Sequence, residues 1–446
     1  MHGVAPAHPR AGEGTPHPPP CWERLDWGLL AGATALGAVL RFWGLGFPHR
    51  FVFDETYYAK DACLYLGRSL ASCQAPHPAT ASGALGIGPE QSFVHPELGK
   101  WLIAAGEKLV GYTSFGWRLM PALFGTGLVV LVFLLGRRLF GRWGGAVGGF
   151  LAATDFVLIT QSRLAMLDVF LAFFVVLGFF FVALERERVV RQRIASDAAI
   201  DVRWRVAIGA ALGAASAVKW SGAYALAGAG LLVAAWAFGT ARRRGASPVP
   251  ELAATAAAVG GPAVVVYLLS YGRWFAGHHW SFRVFLTLQH AMESYQAHLS
   301  QPHPYQTSAW TWPFAIHPIA YWHLPGNPGA HQILLMPNPL VWFAALPAGA
   351  WCLYRALRRH GAAEGIVMTG WLAQYLPWLA VTRPLFFFYL TPVVPFMDLA
   401  LAGSLVALAA TSPSRRRLAA VFLAAVVVVL IYDYPGLVGA LHPHLL

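Results

Sequence analysis

The sequence predicts an all-α polytopic membrane protein, and three observations carry that prediction. Of its 446 residues 57% are hydrophobic and 12% charged, where a soluble domain carries about a quarter charged residues. The apolar residues arrive in blocks of about 17 to 25, the length that crosses a ~30 Å hydrocarbon layer as helix. Arginine collects in alternate segments between those blocks, and so on one side, the pattern of membrane topology rather than of a nucleic-acid surface, so the net charge of +12 implies no nucleic-acid partner.

In chain order, residues 1–26 open with a stretch rich in Pro, His and Gly and read as a disordered cytoplasmic tail rather than a cleavable signal. Apolar blocks then run over 27–47, 119–136, 144–160, 164–184, 205–218, 221–239, 253–271, 338–354, 365–381, 385–409 and 417–434, about eleven spans. With the N-terminus inside, 20 of the 32 Lys and Arg fall in inner segments, and the C-terminus lies outside. The chain divides accordingly into an N-terminal transmembrane module over 27–271, an aromatic-rich outer segment over 272–337, and a C-terminal transmembrane module over 338–446.

Two outer segments, 48–118 and 272–337, are too long to be mere connectors. In the first, 57–70 and 98–110 mix apolar and charged positions at helical spacing, as helices lying in the interface do. The second is dense in aromatics. Trp310, Trp312, Tyr321 and Trp322 either stack on a sugar or form an interfacial belt. Cys63 and Cys73 share the first outer segment, where they are either disulfide-bonded or two free thiols. No metal-ligand spacing, Walker loop or dinucleotide fingerprint is present in the sequence, so no metal or cofactor is expected.

The ionisable residues on the outer side fall into five clusters. Asp54 and Glu55 follow the first span directly, as general base and orienting acid or as a solvated helix cap. His95 and Lys100 lie in His95-Pro96-Glu97-Leu98-Gly99-Lys100, where Lys100 either reaches a phosphate or snorkels. Arg163 and Asp168 stand at an outer join of two spans, as functional groups or as an interhelical ion pair. Lys219 interrupts hydrophobic sequence, and Arg383 does so before Pro384 and Tyr389; together with Arg118 they either converge on a lipid phosphate or anchor the interface. All five clusters fall on one side under a topology derived from other residues. Asp155 and Asp398 sit inside spans and suit a proton path, the basis of a transporter reading.

Phe53-Asp54-Glu55-Thr56-Tyr57-Tyr58, the His95 to Lys100 run, Arg118-Leu119-Met120-Pro121-Ala122-Leu123-Phe124-Gly125, Ser162-Arg163 through Asp168, and Arg383-Pro384 through Tyr389 resemble the protein O-mannosyltransferases. The resemblance implies a GT-C-type fold in the cell membrane with its active site on the extracytoplasmic side. It implies a polyprenyl-phosphate mannose donor and, as acceptors, Ser or Thr hydroxyls of secreted proteins met near the secretion machinery. Asp54 then matches the catalytic acid and Glu55 its acceptor-side neighbour, with Arg118, Lys219 and Arg383 as donor-phosphate contacts and His95, Lys100, Arg163, Asp168 and Tyr389 in support. Two features depart from the family pattern. The 272–337 segment is too short for the β-trefoil domain of eukaryotic members, and Glu97 replaces the second Pro of the usual His-Pro-Pro. A lipid-linked sugar transferase acting on a lipid or cell-wall glycan is the alternative within the same chemistry.

Overall fold

The computed structural model describes residues 21–73, 93–192, 202–315, 318–323 and 331–440. Of the tail predicted over 1–26, residues 1–20 lie outside them, and Arg24, Leu25 and Asp26 belong instead to the first helix, where Asp26 is buried. The elements are α1 (Arg24–Phe42), α2 (Glu55–Tyr65), α3 (Leu70–Cys73), α4 (Leu98–Val110), α5 (Ser114–Thr154), α6 (Phe156–Ser162), α7 (Asp168–Gln192), α8 (Arg203–Val218), α9 (Gly222–Arg243), α10 (Val249–Ser270), α11 (Gly272–Gly277) and α12 (Phe282–His298). After a 3-10 turn over Ala309–Phe314 come β1 (Ile319–His323), β2 (Gln332–Leu335), α13 (Pro339–Arg358), α14 (Ala362–Tyr375), α15 (Val394–Ala409) and α16 (Pro413–Val438). Among the described residues seven helices, α1, α5, α7, α9, α10, α13 and α16, are long and apolar enough to cross a membrane on their own. The protein is a multi-pass helical membrane protein.

Local chemistry sets the helix ends. Asn338 accepts from the backbone N–H groups of Leu340 and Val341, with Pro339 behind it as the first helical residue of α13. Ser412 and Pro413 repeat the device on α16, which Gly439 closes in the left-handed region. The blocks read at 119–136 and 144–160 form the two antiparallel arms of one stretch, which folds back on itself at Gly141, where a φ of 77° is open without cost only to glycine, so that a Cβ on Gly149 would stand 3.0 Å from Phe133 Cβ. That stretch breaks again at Asp155, which accepts from Leu158 N and starts α6. The break frees carbonyls inside the bundle, and the buried Arg41 guanidinium donates to Ala152 O and Ala153 O at 3.0 and 3.1 Å, the kind of partner a broken helix needs where water is absent. Helices α8 and α10 approach so closely that a Cβ on Gly209 would stand 2.1 Å from Val259 O, the small-residue contact typical of membrane helices.

At the end of the bundle read as cytoplasmic, arginines are tied to acids. Asp26 holds Arg137 and Arg142 at 2.9 Å each, Glu187 holds Arg138, and Glu185 with Glu251 holds Arg205. The opposite end carries α2, α4, α11 and α12. Helix α4 matches the helix predicted over 98–110, and α2 overlaps the one predicted over 57–70 but ends at Tyr65. Cys63 and Cys73 are disulfide-bonded, which closes the choice the sequence left open. The second outer segment departs from an all-helical chain in the two-stranded antiparallel sheet of β1 and β2.

Candidate active site

Phe53 ends the linker from α1 with a φ of 51°, a left-handed turn that a bulky residue adopts only where its surroundings enforce it. Its ring is gripped by Tyr321 and Phe388, at centroid distances of 4.6 and 5.9 Å. The turn delivers Asp54 to the head of α2, half-buried, with Tyr58 Oη donating to its Oδ2 at 3.5 Å. Asp54 lines a cavity of about 650 Å³ with His95, Lys219, Gln296, His303 and Tyr389. Burial raises its carboxyl from 3.8 to about 6, opposed by Lys219 and reinforced by Asp168.

The adjacent acid does the opposite. Glu55 is fully buried and receives four hydrogen bonds: Arg118 Nε and Nη2 at 2.8 Å each, Val52 N and Ala165 N at 2.9 Å each. Arg118 is equally committed. Its Nη1 serves Leu45 O, Phe47 O and Pro48 O and its Nη2 also serves Arg50 O, so the guanidinium binds the α1–α2 linker as well as Glu55. The expectations that Glu55 faces the acceptor and Arg118 the donor phosphate are corrected here. Neither residue lines the cavity, and every Arg118 N–H is taken up by protein.

Lys219 and Arg383 do converge. Lys219, in the extended turn between α8 and α9, binds both Asp168 oxygens at 2.8 and 2.9 Å, with its ammonium over the rings of Phe388 and Tyr389. Arg383 donates from Nη1 to Tyr389 Oη at 3.2 Å and to Pro384 O. Asp168, Lys219, Arg383 and Tyr389 line a second cavity of about 160 Å³, which shares Val94, His95, Lys219, Gln296 and Tyr389 with the first. The aromatic walls of Trp220, Tyr224 and Trp378 close its other side. His95 is held well below its usual pKa, first by burial and then by Lys219, Lys100 and Arg383, so it faces both cavities as a neutral imidazole.

Two supporting residues fall elsewhere. Lys100 is buried against Asp61 and Glu97 at 3.6 and 3.7 Å, joining α2 to α4, and so does not reach a phosphate. Arg163 donates to Leu40 O, Arg41 O and Trp43 O, completing the end of α1. Glu97, the departure from His-Pro-Pro, belongs to the Lys100 cluster rather than to the cavity wall. Asp155 and Asp398 do not line the cavities either. Of the four aromatics singled out, Trp312 is buried and donates to Thr307, Tyr321 supports Phe53, and neither Trp310 nor Trp322 lines the cavities. The sequence reading missed Tyr58, Gln296 and His303. Tyr58 stands one helical turn after Asp54 on α2, whereas Gln296 and His303 are ordinary polar residues near aromatics that only the folded second outer segment brings to the cavity.

Solved structures with the same architecture define the class. The chain superposes on the Saccharomyces cerevisiae protein O-mannosyltransferase Pmt1–Pmt2 complex bound to the sugar donor with a TM-score of 0.77 and 14% identity, over 94% of this chain and 91% of that one. It superposes on ArnT from Cupriavidus metallidurans bound to undecaprenyl phosphate with a TM-score of 0.58 and 20% identity, over 90% and 64%. The fold is that of the GT-C membrane glycosyltransferases. Residues 32–282 match the dolichyl-phosphate-mannose-protein mannosyltransferase family and residues 281–438 the C-terminal four-transmembrane region of protein O-mannosyltransferase. The polyprenol-phosphate-mannose–protein mannosyltransferase of Mycolicibacterium smegmatis is 32% identical over 95% of this chain and 92% of its own, and that of Mycobacterium tuberculosis 31% over 84% and 80%. The chain belongs to the protein O-mannosyltransferase family.

Proposed function

We propose that this protein transfers mannose from polyprenyl-phosphate mannose to a Ser or Thr hydroxyl of an exported protein, with inversion at the anomeric carbon. One observation carries the reading: a carboxylate suited to act as base and two cations suited to a phosphate face connected cavities at one end of the helical bundle. The bacterial relatives named for this donor and a protein acceptor support it. The arginine-rich opposite end supports placing the cavities on the extracytoplasmic face.

Asp54 takes the proton from the acceptor hydroxyl as its oxygen attacks the anomeric carbon. The carbon–oxygen bond to phosphate breaks, and its electron pair leaves on the polyprenyl phosphate. Lys219 and Arg383 stabilise that departing charge, so no general acid is required. Donor binding draws Lys219 toward the phosphate while Asp168 keeps it oriented. The lipid enters between α9 and the turn following α14, where Tyr224 and Trp378 line the phosphate-side cavity.

The test is transfer of radiolabel from polyprenyl-phosphate [³H]mannose in membranes containing the protein, offered a Ser/Thr-rich peptide and separately a lipid extract. Label in the peptide supports the reading. Label confined to the lipid fraction assigns a lipid or glycan acceptor instead.

A further inference from the structure

On the transfer reading above, the sugar's position follows from the cavity shapes. Its anomeric carbon must lie between the phosphate, held on the side of Lys219 and Arg383, and the hydroxyl activated at Asp54. Five residues line both cavities, so a donor that reaches from one cavity to the other lies against them. Of these, Val94 is apolar and Lys219 is engaged with Asp168. The other three, His95, Gln296 and Tyr389, are half-buried polar groups.

We propose that His95, Gln296 and Tyr389 form a collar that reads the hydroxyls of the transferred sugar, and that Gln296 sets which hexose is accepted. The chemistry of the three groups matches hydroxyls rather than phosphate. Neutral His95 offers one donor and one acceptor. Tyr389 Oη already accepts from Arg383 at 3.2 Å, which turns its own proton outward as a donor. Gln296 spends its Nε2 on a long 3.4 Å bond to Val94 O, and its amide oxygen accepts no hydrogen bond from the described residues. That bond also fastens α12, from the second outer segment, to the turn that carries His95. Gln296 therefore holds an unused acceptor at the collar, on a side chain whose position the bond to Val94 O fixes. A site built to bond a hydroxyl discriminates strongly against a sugar lacking it or presenting it on the other face, because a half-buried polar atom is then left unpaired.

The experiment compares the unsubstituted protein with Gln296→Leu, close in shape and unable to hydrogen-bond, on polyprenyl-phosphate mannose and on its 2-, 3-, 4- and 6-deoxy forms. The expected result is a loss of about 10- to 100-fold in donor kcat/KM for Gln296→Leu on mannose. One deoxy donor should cost the unsubstituted protein a similar factor, and on that donor Gln296→Leu should cost nothing further. Activity on that donor also shows that the variant is folded. An equal penalty on all donors, or none on any, overturns the collar. Should the unsubstituted protein use polyprenyl-phosphate glucose and not mannose, the mannose reading falls, and the same comparison on deoxyglucose donors judges the collar separately. Transfer from neither sugar overturns both.

Discussion

Asp54 and Glu55 are neighbours in sequence and opposites in role. The left-handed turn at Phe53 aims one at the cavity, while four hydrogen bonds lock the other into the frame. The sequence showed where an acidic pair meets the membrane surface and could not show which acid faces a substrate, since that depends on Arg118 and Ala165, more than sixty residues away in each case. Arg118 was misread for the same reason. A buried arginine stitching backbone carbonyls and one able to reach a phosphate look alike in a string of letters. Truncating Arg118 leaves the buried Glu55 carboxylate without its partner, so Arg118→Ala should lower stability by about 3 to 5 kcal/mol. A fall in melting temperature in detergent that accompanies any loss of activity checks this. A variant of unchanged stability with a raised donor KM would restore Arg118 to the phosphate. The raised Asp54 carboxyl has a sign that can be worked out. The base must be ionised, so protonation on going down through about pH 6 removes it. The account expects kcat/KM to fall tenfold per pH unit below about 6, rather than below the ordinary aspartate value of 3.8.

At the scale of elements, α2 and α4 were legible because their mixed periodicity differs from that of spanning helices. They carry cavity-lining groups at their N-terminal ends: Asp54 at the head of α2, and His95 just before α4. Between them the Asp61–Lys100–Glu97 cluster and the Lys100–Tyr65 contact join the two helices. The Cys63–Cys73 bond closes the far end of α2, and Tyr112 Oη donates to Cys73 O at 2.7 Å beside it. A loop of this length, with 10 residues of separation, stabilises by roughly 2 to 3 kcal/mol through lost unfolded-chain freedom. Cys63→Ser should therefore lower the melting temperature in detergent by several degrees, and reductant should do the same to the unsubstituted protein and nothing to the variant. The β1–β2 hairpin was not legible. Its strands are four and five residues long, set among aromatics that read equally as an interfacial rim. The turn at Gly141 was legible as the arginine-bearing gap between the blocks at 119–136 and 144–160, whereas the break at Asp155 was hidden, since hydropathy reports apolar length and not the dihedral angles that interrupt it.

For the whole molecule, hydropathy and arginine asymmetry made the membrane class and the position of both large outer segments readable. They did so because the bilayer constrains composition over long stretches. The site is less readable because it is built from parts distant in sequence: the head of α2, the turn before α4, the start of α7, the α8–α9 turn, α12, and the Arg383–Tyr389 segment. Each part alone was consistent with a structural ion pair or an interfacial anchor. Their meeting around two connected cavities is what distinguishes Asp54, Lys219 and Arg383 from Glu55, Arg118, Lys100 and Arg163. It also separates the transfer reading from a transporter driven by Asp155 and Asp398, which stand away from those cavities. The most direct test of the central claim is mannosyl transfer to peptide by the unsubstituted protein and by Asp54→Asn, inserted in membranes at equal level. The account predicts labelled peptide from the former and a rate lower by about 10²- to 10⁴-fold from the latter; equal label from both would contradict it.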